Sequence, residues 1–314
     1  MRTDRMYPSA GAGEIHSVLW MPDGAVRGVI QVIHGIAEHV ERYAAFAETM
    51  NRAGFAVTAE DHMGHGRSVN GGGIQGYFHG GWEAAVQDSL TLMCYTKELY
   101  PHIPYILFGH SMGSFMCRTM LCITGENGPD AAVICGTGWQ PRAILPAAIA
   151  LCSAVCRKCG EERPNEKLQG LVFGGYNKRV QSPKTAYDWL SRDEASVAAY
   201  TADPSCGFTA SCGLLRDMLK GIRYIEQPRN LAAMPKSLPV LFRAGAEDPV
   251  GNYGAGVRET VRQFRKCGMR NVSLKLYPGA RHELLNETNR SEVMADLLQW
   301  IGSLQVMDGR TVHA

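Results

Sequence analysis

The residues Gly109-His110-Ser111-Met112-Gly113 have the types and spacing for nucleophilic catalysis. They follow the apolar run Tyr105-Ile-Leu-Phe108 and open the apolar stretch Met112–Ile123, the strand-to-helix context that a G-x-S-x-G elbow requires. A serine raised above a sheet on so tight a turn has a strained backbone. The positions two before and two after it pass close to neighbouring chain, so glycine fits where a Cβ would collide. The amide of Met112, at the start of the helix, points toward the same space and can donate to an oxyanion.

A serine hydroxyl is a poor nucleophile until a base takes its proton, and a carboxylate usually holds that base in the required tautomer. The expected chain order is Ser, then Asp or Glu, then His. Asp248, in Ala244-Gly-Ala-Glu-Asp248-Pro-Val-Gly251, comes just after a strand, where the functional rim of a parallel sheet lies. His282 follows in the Gly-containing loop Pro278-Gly-Ala-Arg-His282 after another strand. Order and placement set it apart from the other histidines. Glu247 is the local rival for the acid. Asp248 is preferred because Pro249 fixes the backbone after it and the shorter side chain suits a rigid loop.

A second oxyanion donor is expected from the loop His34-Gly35-Ile36-Ala-Glu38-His39. Gly35 lets the backbone approach the site and the Ile36 amide donates; losing one such donor typically lowers turnover by about 10² to 10³. His34 and His39 read as structural, with Glu38 and His39 bonding across the loop.

The elements that must position these groups alternate along the chain. Glu14–Trp20 and Ala25–His34 read as extended segments joined by the turn Pro22-Asp23-Gly24, and Gly28–Ile33 as a buried strand. Glu41–Ala53 reads as a helix ended by Gly54, with Tyr43, Phe46, Ala47 and Met50 on one face. Phe55–Thr58 is a strand, and Trp82–Tyr100 a helix with Val86, Leu90, Met93 and Cys94 inward. Ala131–Cys135 is a strand. Later, Pro239–Phe242, Val257–Cys267, Val272–Tyr277 and Ser291–Leu304 read strand, helix, strand, helix. Such alternation implies an α/β fold with a parallel sheet covered on both faces. Between 137 and 236 the rhythm breaks into a proline-rich, mostly helical stretch. Residues 1–136 and 237–314 therefore read as one core and 137–236 as an inserted cap.

Composition narrows the function. The chain has 314 residues, 45% apolar and 20% charged, with 32 basic against 30 acidic side chains, a net charge of +2. That supports a packed core and gives no reason to expect a nucleic-acid partner. The longest nearly apolar stretch, Ala143–Val155, is too short to span a bilayer and contains Pro146. The start of the chain lacks the apolar run of a secretory signal. A cytoplasmic location is expected, where ten scattered cysteines stay reduced and behave as small hydrophobes, Cys94, Cys117, Cys122 and Cys135 among them.

Taken together, the His34-Gly35-x-x-Glu38-His39 loop, the segment Asp61-His-Met-Gly64-His65-Gly66-Arg-Ser68, the Ser111 elbow and the Asp248 and His282 loops resemble the α/β-hydrolase superfamily. Within it the chain is similar to the monoacylglycerol lipase and lysophospholipase-like branch, often grouped with the serine aminopeptidases. The resemblance covers about two-thirds of the chain. It implies an eight-stranded, mostly parallel sheet and a catalytic triad of Ser111, Asp248 and His282. Gly109, His110 and Gly113 would form the elbow, His34 and Gly35 the oxyanion loop, and the amides of Ile36 and Met112 the hole. Ile36 departs from the smaller residue usual in this branch, which narrows the acyl entrance and leaves its amide available. The segment 61–68 is implied to be a structural rim loop.

The activity so implied is hydrolysis of carboxylic esters, either monoacyl lipids or small esters, through an acyl-enzyme on Ser111, with no metal or organic cofactor. The apolar Ala143–Cys152 lines an acyl tunnel, touches lipid aggregates, or packs on the cap's own core. An aminopeptidase or amidase is the alternative, with Glu161, Glu162 and Glu166 as candidate anchors for a substrate amine; a non-catalytic ligand-binding scaffold is a third. Dehalogenase chemistry would want aspartate at position 111. Cys156-x-x-Cys159 suits half a zinc site, but Cys206 and Cys212 lie too far apart to supply a second close pair, so no metal is expected. The run Asn70–Gly76 lacks the lysine and hydroxyl of a phosphate cradle and reads as a surface loop.

Overall fold

The computed structural model describes residues 1–141 and 143–304. Eight strands form one sheet: β1 (Arg2–Pro8), β2 (Glu14–Trp20), β3 (Gly28–Ile33), β4 (Phe55–Glu60), β5 (Tyr105–His110), β6 (Ala131–Cys135), β7 (Val240–Gly245) and β8 (Val272–Tyr277). Their order is β1-β2-β4-β3-β5-β6-β7-β8. β1 and β2 are antiparallel to each other and β2 to β4, while every later pair is parallel. The helices are α1 (Ala44–Arg52), α2 (Gly81–Leu99), α3 (Met112–Thr124), α4 (Ile144–Cys159), α5 (Glu166–Phe173), α6 (Glu194–Ala202), α7 (Cys212–Ile225), α8 (Pro228–Leu231), α9 (Ala255–Lys266) and α10 (Arg290–Gly302).

Apolar spacing of three and four residues decides which face of each helix meets the sheet. Phe46, Ala47 and Met50 of α1 and Val293, Leu297 and Ile301 of α10 pack on one side of it. Trp82, Ala85 and Val86 of α2, Met116 and Met120 of α3, and Val257, Val261 and Phe264 of α9 pack on the other. The strands between them, β3 to β7, are buried at every position. This is the mostly parallel eight-stranded α/β sheet with helices on both faces that the resemblance implies.

Several local readings need correction. β2 and β3 do not pair across Pro22-Asp23-Gly24; β4 lies between them. β3 is apolar on both faces and takes an interior place with two parallel neighbours, which moves β2 to the antiparallel flank. β1 was not expected at all, because its residues are mostly polar and exposed. A 3₁₀ turn at Val40–Tyr43 precedes α1, so the helix starts three residues late, and Gly54 ends it with φ 85°. On α2 the buried face passes through Leu92, Met93 and Thr96, so Cys94 is exposed.

Between β6 and β7 lie α4 to α8, with no strand of the sheet. Within this stretch α7 packs against α2, α3 and α4, and its Leu214, Leu215, Met218 and Ile222 join the core beside Met116 and Met120.

Candidate active site

Ser111 sits between β5 and α3 with φ 54° and ψ −121°, a conformation that an L-residue holds only when its surroundings impose it. What imposes it is the packing of α3 against the sheet. A Cβ on Gly113 would stand 1.9 Å from the Ile33 carbonyl oxygen, so only glycine lets α3 approach β3 this closely. The Ser111 amide donates to the Cys135 carbonyl at 3.0 Å, tying the elbow to β6. Met112 is the first residue of α3, and its amide is one that helix geometry leaves without an intrahelical partner.

Asp248 and His282 lie 34 residues apart in sequence and meet beyond the ends of β7 and β8. His282 Nδ1 is 2.9 Å from Asp248 Oδ2, and Asp248 Oδ1 accepts the Val250 amide at 2.9 Å. Both residues are buried, whereas Glu247 is exposed. The other ring nitrogen, Nε2, is buried without a hydrogen-bond partner among the described residues. Burial opposes charge on this ring, while the Asp248 carboxylate, with Glu283 and Glu38 farther out, favours it, and the outcome is a pKa above the usual histidine value. The neighbouring His110 ring lies 4.7 Å away, centroid to centroid. Its pKa is pushed down to about 4 by burial and by His282, so it is neutral at neutral pH.

The oxyanion loop runs beside the elbow. A Cβ on Gly35 would stand 3.0 Å from that of Ser111. Glu38 accepts the Gly35 amide at 2.5 Å and the Tyr43 hydroxyl at 3.0 Å. His34 donates through Nδ1 to the Gly35 carbonyl at 2.7 Å and accepts the His62 amide on Nε2 at 3.1 Å. Burial, with His62 and His65, holds its pKa well below the ordinary value. His39 does not bond to Glu38; its Nε2 reaches Asp203 Oδ2 at 2.9 Å in the insertion. In the rim loop, Asp61 accepts from His16 Nδ1 and from the amides of Val40 and Arg67, at 2.8, 2.9 and 2.9 Å.

Three features carried no sequence signal. Arg42 donates to Glu38 at 2.7 Å and to both oxygens of Glu283 at 2.7 and 2.6 Å, joining the oxyanion loop to the residue after His282 across 241 positions. Burial would raise the Glu283 pKa, but Arg42 outweighs it and holds the carboxyl at about 2. Gly136, just after β6, has φ 62° and leaves room for the His282 ring, which a Cβ there would approach at 2.9 Å. Trp189, from the helices between β6 and β7, packs tilted by 40° with its ring centre 5.0 Å from that of His282, and Tyr176 packs edge-on at 4.7 Å against Trp189. Aromatic spacing alone distinguishes neither residue from ordinary core.

Other side chains are less suited to the roles weighed for them. Glu161 is paired with Arg216 at its two oxygens. Cys156 is buried and Cys159 exposed on α4, while Cys206 packs elsewhere with Leu190 and Tyr200. Among the described residues, His39, Asp203 and Cys206 hold their potential ligand atoms within 4.8 Å of one another. No helix of the described residues is long and apolar enough to cross a membrane.

Residues 24–289 match the family model described as serine aminopeptidase, S33. The chain is 31% identical over 310 residues to a monoacylglycerol lipase of Mycolicibacterium smegmatis, covering 96% of this chain and 98% of that one. Its structure is similar to that of a thermostable carboxyl esterase from Bacillus coagulans, with TM-score 0.89, 29% identity and coverage of 96% and 98% of the two chains. A lipase in its open form matches with TM-score 0.84 at 29% identity, over 98% of this chain and all of the other. The chain belongs to the serine aminopeptidase S33 family of α/β hydrolases.

Proposed function

We propose that the chain hydrolyses carboxylic esters of monoacyl lipids, with Ser111 as nucleophile, His282 as base and Asp248 as its orienting acid. One observation carries this reading: a buried histidine is bonded at Nδ1 to a buried aspartate, its Nε2 is unpartnered among the described residues, and its ring packs 4.7 Å from that of His110, the residue before the serine of the strained elbow. Ser111 Oγ attacks the ester carbonyl as His282 Nε2 takes its proton, and the Met112 and Ile36 amides hold the tetrahedral anion. Collapse expels the alcohol with the proton from His282, leaving an acyl-serine. Water then attacks with the same base, and the acid departs.

Esters rather than peptides are supported by the monoacylglycerol lipase and carboxyl esterase relatives, and of the three candidate amine anchors Glu161 is already paired with Arg216. We assign α4–α6 the role of cap over the site, its apolar outer face in transient contact with lipid aggregates.

Labelling with a fluorophosphonate and hydrolysis of 1-monoacylglycerols test the assignment, with aminoacyl amides in parallel. Wild type is expected to be labelled and to cleave the glycerides, and Ser111→Ala to do neither. Cleavage of the amides alone would replace this reading by the aminopeptidase one.

A further inference from the structure

The oxyanion loop is held from two sides. From the core, Glu38 grips the Gly35 amide. From the insertion, two donors converge on the carbonyl of Ala37, the Tyr200 hydroxyl and the Gly207 amide, each at 2.9 Å. Between these anchors lies Ile36, whose amide is the proposed second donor to the oxyanion.

Ala37 has φ 55°, the left-handed conformation that a Cβ disfavours and that persists in a non-glycine residue only when neighbours enforce it. The neighbours are built for this. Tyr200 is buried on α6, with the Arg42 guanidinium 4.8 Å from its ring centre and the Tyr187 ring at 5.0 Å. Tyr187 donates to the Gly207 carbonyl at 2.7 Å, fixing the turn that carries the second donor. The His39–Asp203 bond ties the far end of the loop to the same turn, where Asp203 Oδ1 also accepts the Ser205 amide at 2.8 Å. Packing of Tyr200 alone would not require its hydroxyl to meet a strained carbonyl that a backbone amide already holds.

We propose that Tyr200 is a positioning residue: with Gly207 it holds Ala37 left-handed, and so aims the Ile36 amide at the reacting carbonyl oxygen. The oxyanion hole is then complete only when α6 is seated on the loop. This rests on the reading of Ser111 as nucleophile and Ile36 as donor.

The test is a double-mutant cycle in the full chain, assayed on a water-soluble short-chain p-nitrophenyl ester so that lipid contact plays no part. Tyr200→Phe keeps the ring and removes the donor, and is expected to lower kcat about tenfold, equivalent to about 1.4 kcal/mol, with KM within about twofold. Glycine adopts the left-handed conformation without the Cβ penalty. In an Ala37→Gly background the same Tyr200→Phe change is therefore expected to lower kcat less than about twofold. Ala37→Val, which worsens the penalty while leaving Tyr200 intact, is expected to lower kcat with KM unchanged, and it carries the test if Tyr200→Phe does not fold. A wild-type kcat in Tyr200→Phe or in Ala37→Val, or an undiminished loss in the Ala37→Gly background, overturns the proposal. Ser111→Ala separates the two levels: surviving turnover there defeats the underlying site reading, whereas a dead Ser111→Ala beside an unaffected Tyr200→Phe defeats this inference alone.

Discussion

The two walls of the site are held in different ways. The core wall is a set of buried polar groups bonded at more than one atom: Asp248 at both oxygens, Glu38 to Gly35, Tyr43 and Arg42, and Asp61 to three donors. The insertion wall meets His282 through the tilted ring of Trp189 and one backbone bond, from the His282 amide to the Trp189 carbonyl at 3.4 Å. Its outer helices leave Ile144, Leu151 and Leu171 at 56, 48 and 72% exposure. A group that must transfer a proton tolerates little displacement, because geometry decides the rate. A surface that accepts acyl chains gains from adaptable apolar contact. The difference assigns proton transfer to the first wall and access to the outer helices α4 and α5 of the second, apart from the hold of Tyr200 and Gly207 on the oxyanion loop, and substitutions in each should separate turnover from substrate choice.

The largest effect belongs to the core wall. Ser111→Ala is expected to lower turnover by roughly 10⁶, with no loss of thermal stability, since the hydroxyl anchors no packing. Next, Asp248→Asn should lower kcat by about 10⁴ through the wrong His282 tautomer. Glu247→Gln, one residue away and exposed, is expected to change kcat less than twofold. Equal effects of the two would break the assignment of the acid, and kcat on a soluble ester reads it.

The pH profile sharpens the comparison further. The base must be neutral to accept the serine proton, so kcat/KM rises with pH through the His282 pKa. Since that pKa lies above 6.5 in the folded chain, the acid limb is expected above pH 6.5, with about a tenfold loss per unit below it. Stability runs the other way. A raised folded pKa contributes stability that is fully present below the unfolded value near 6.5 and is lost as pH rises through the folded value. Titration of kcat/KM and of Tm over the same buffers checks both signs, and an acid limb below pH 6 would remove His282 from the role of base.

How much of this was legible depended on what local sequence can encode. The elbow, Asp248 and His282 were readable because each follows an apolar strand, and strand ends mark one rim of a parallel sheet. The break in rhythm after Cys135 marked the run of helices between β6 and β7, though not that α7 returns to the core beside α3. β1 left no pattern because only Tyr7 of its residues is buried. Arg42 and Glu283, or Tyr200 and Ala37, are long-range pairs whose partners are chosen by folding, and neither residue of a pair predicts the other. His39 shows the same limit: spacing suggested Glu38 as partner, and the fold supplied Asp203 from 164 positions away.

The smallest expected effect belongs to the insertion wall. Ile144 and Leu151 project from α4 and Leu171 from α5, in helices where Leu145, Cys152, Cys156 and Leu168 already fill the buried side. These three side chains therefore add nothing to the packing of their own helices, and an apolar surface left uncovered in water is one that a lipid aggregate can cover. Full burial of such a side chain is worth about 1.5 to 3 kcal/mol, and partial contact less, so a triple change to serine should lower hydrolysis of emulsified long-chain monoacylglycerol about three- to tenfold. Turnover of a soluble short-chain ester should stay within about twofold, because none of the three touches the Asp248–His282 pair. A parallel loss on both substrates would mean that this face supports the fold of the site rather than access to it, and the two walls would no longer divide the work as their bonding suggests.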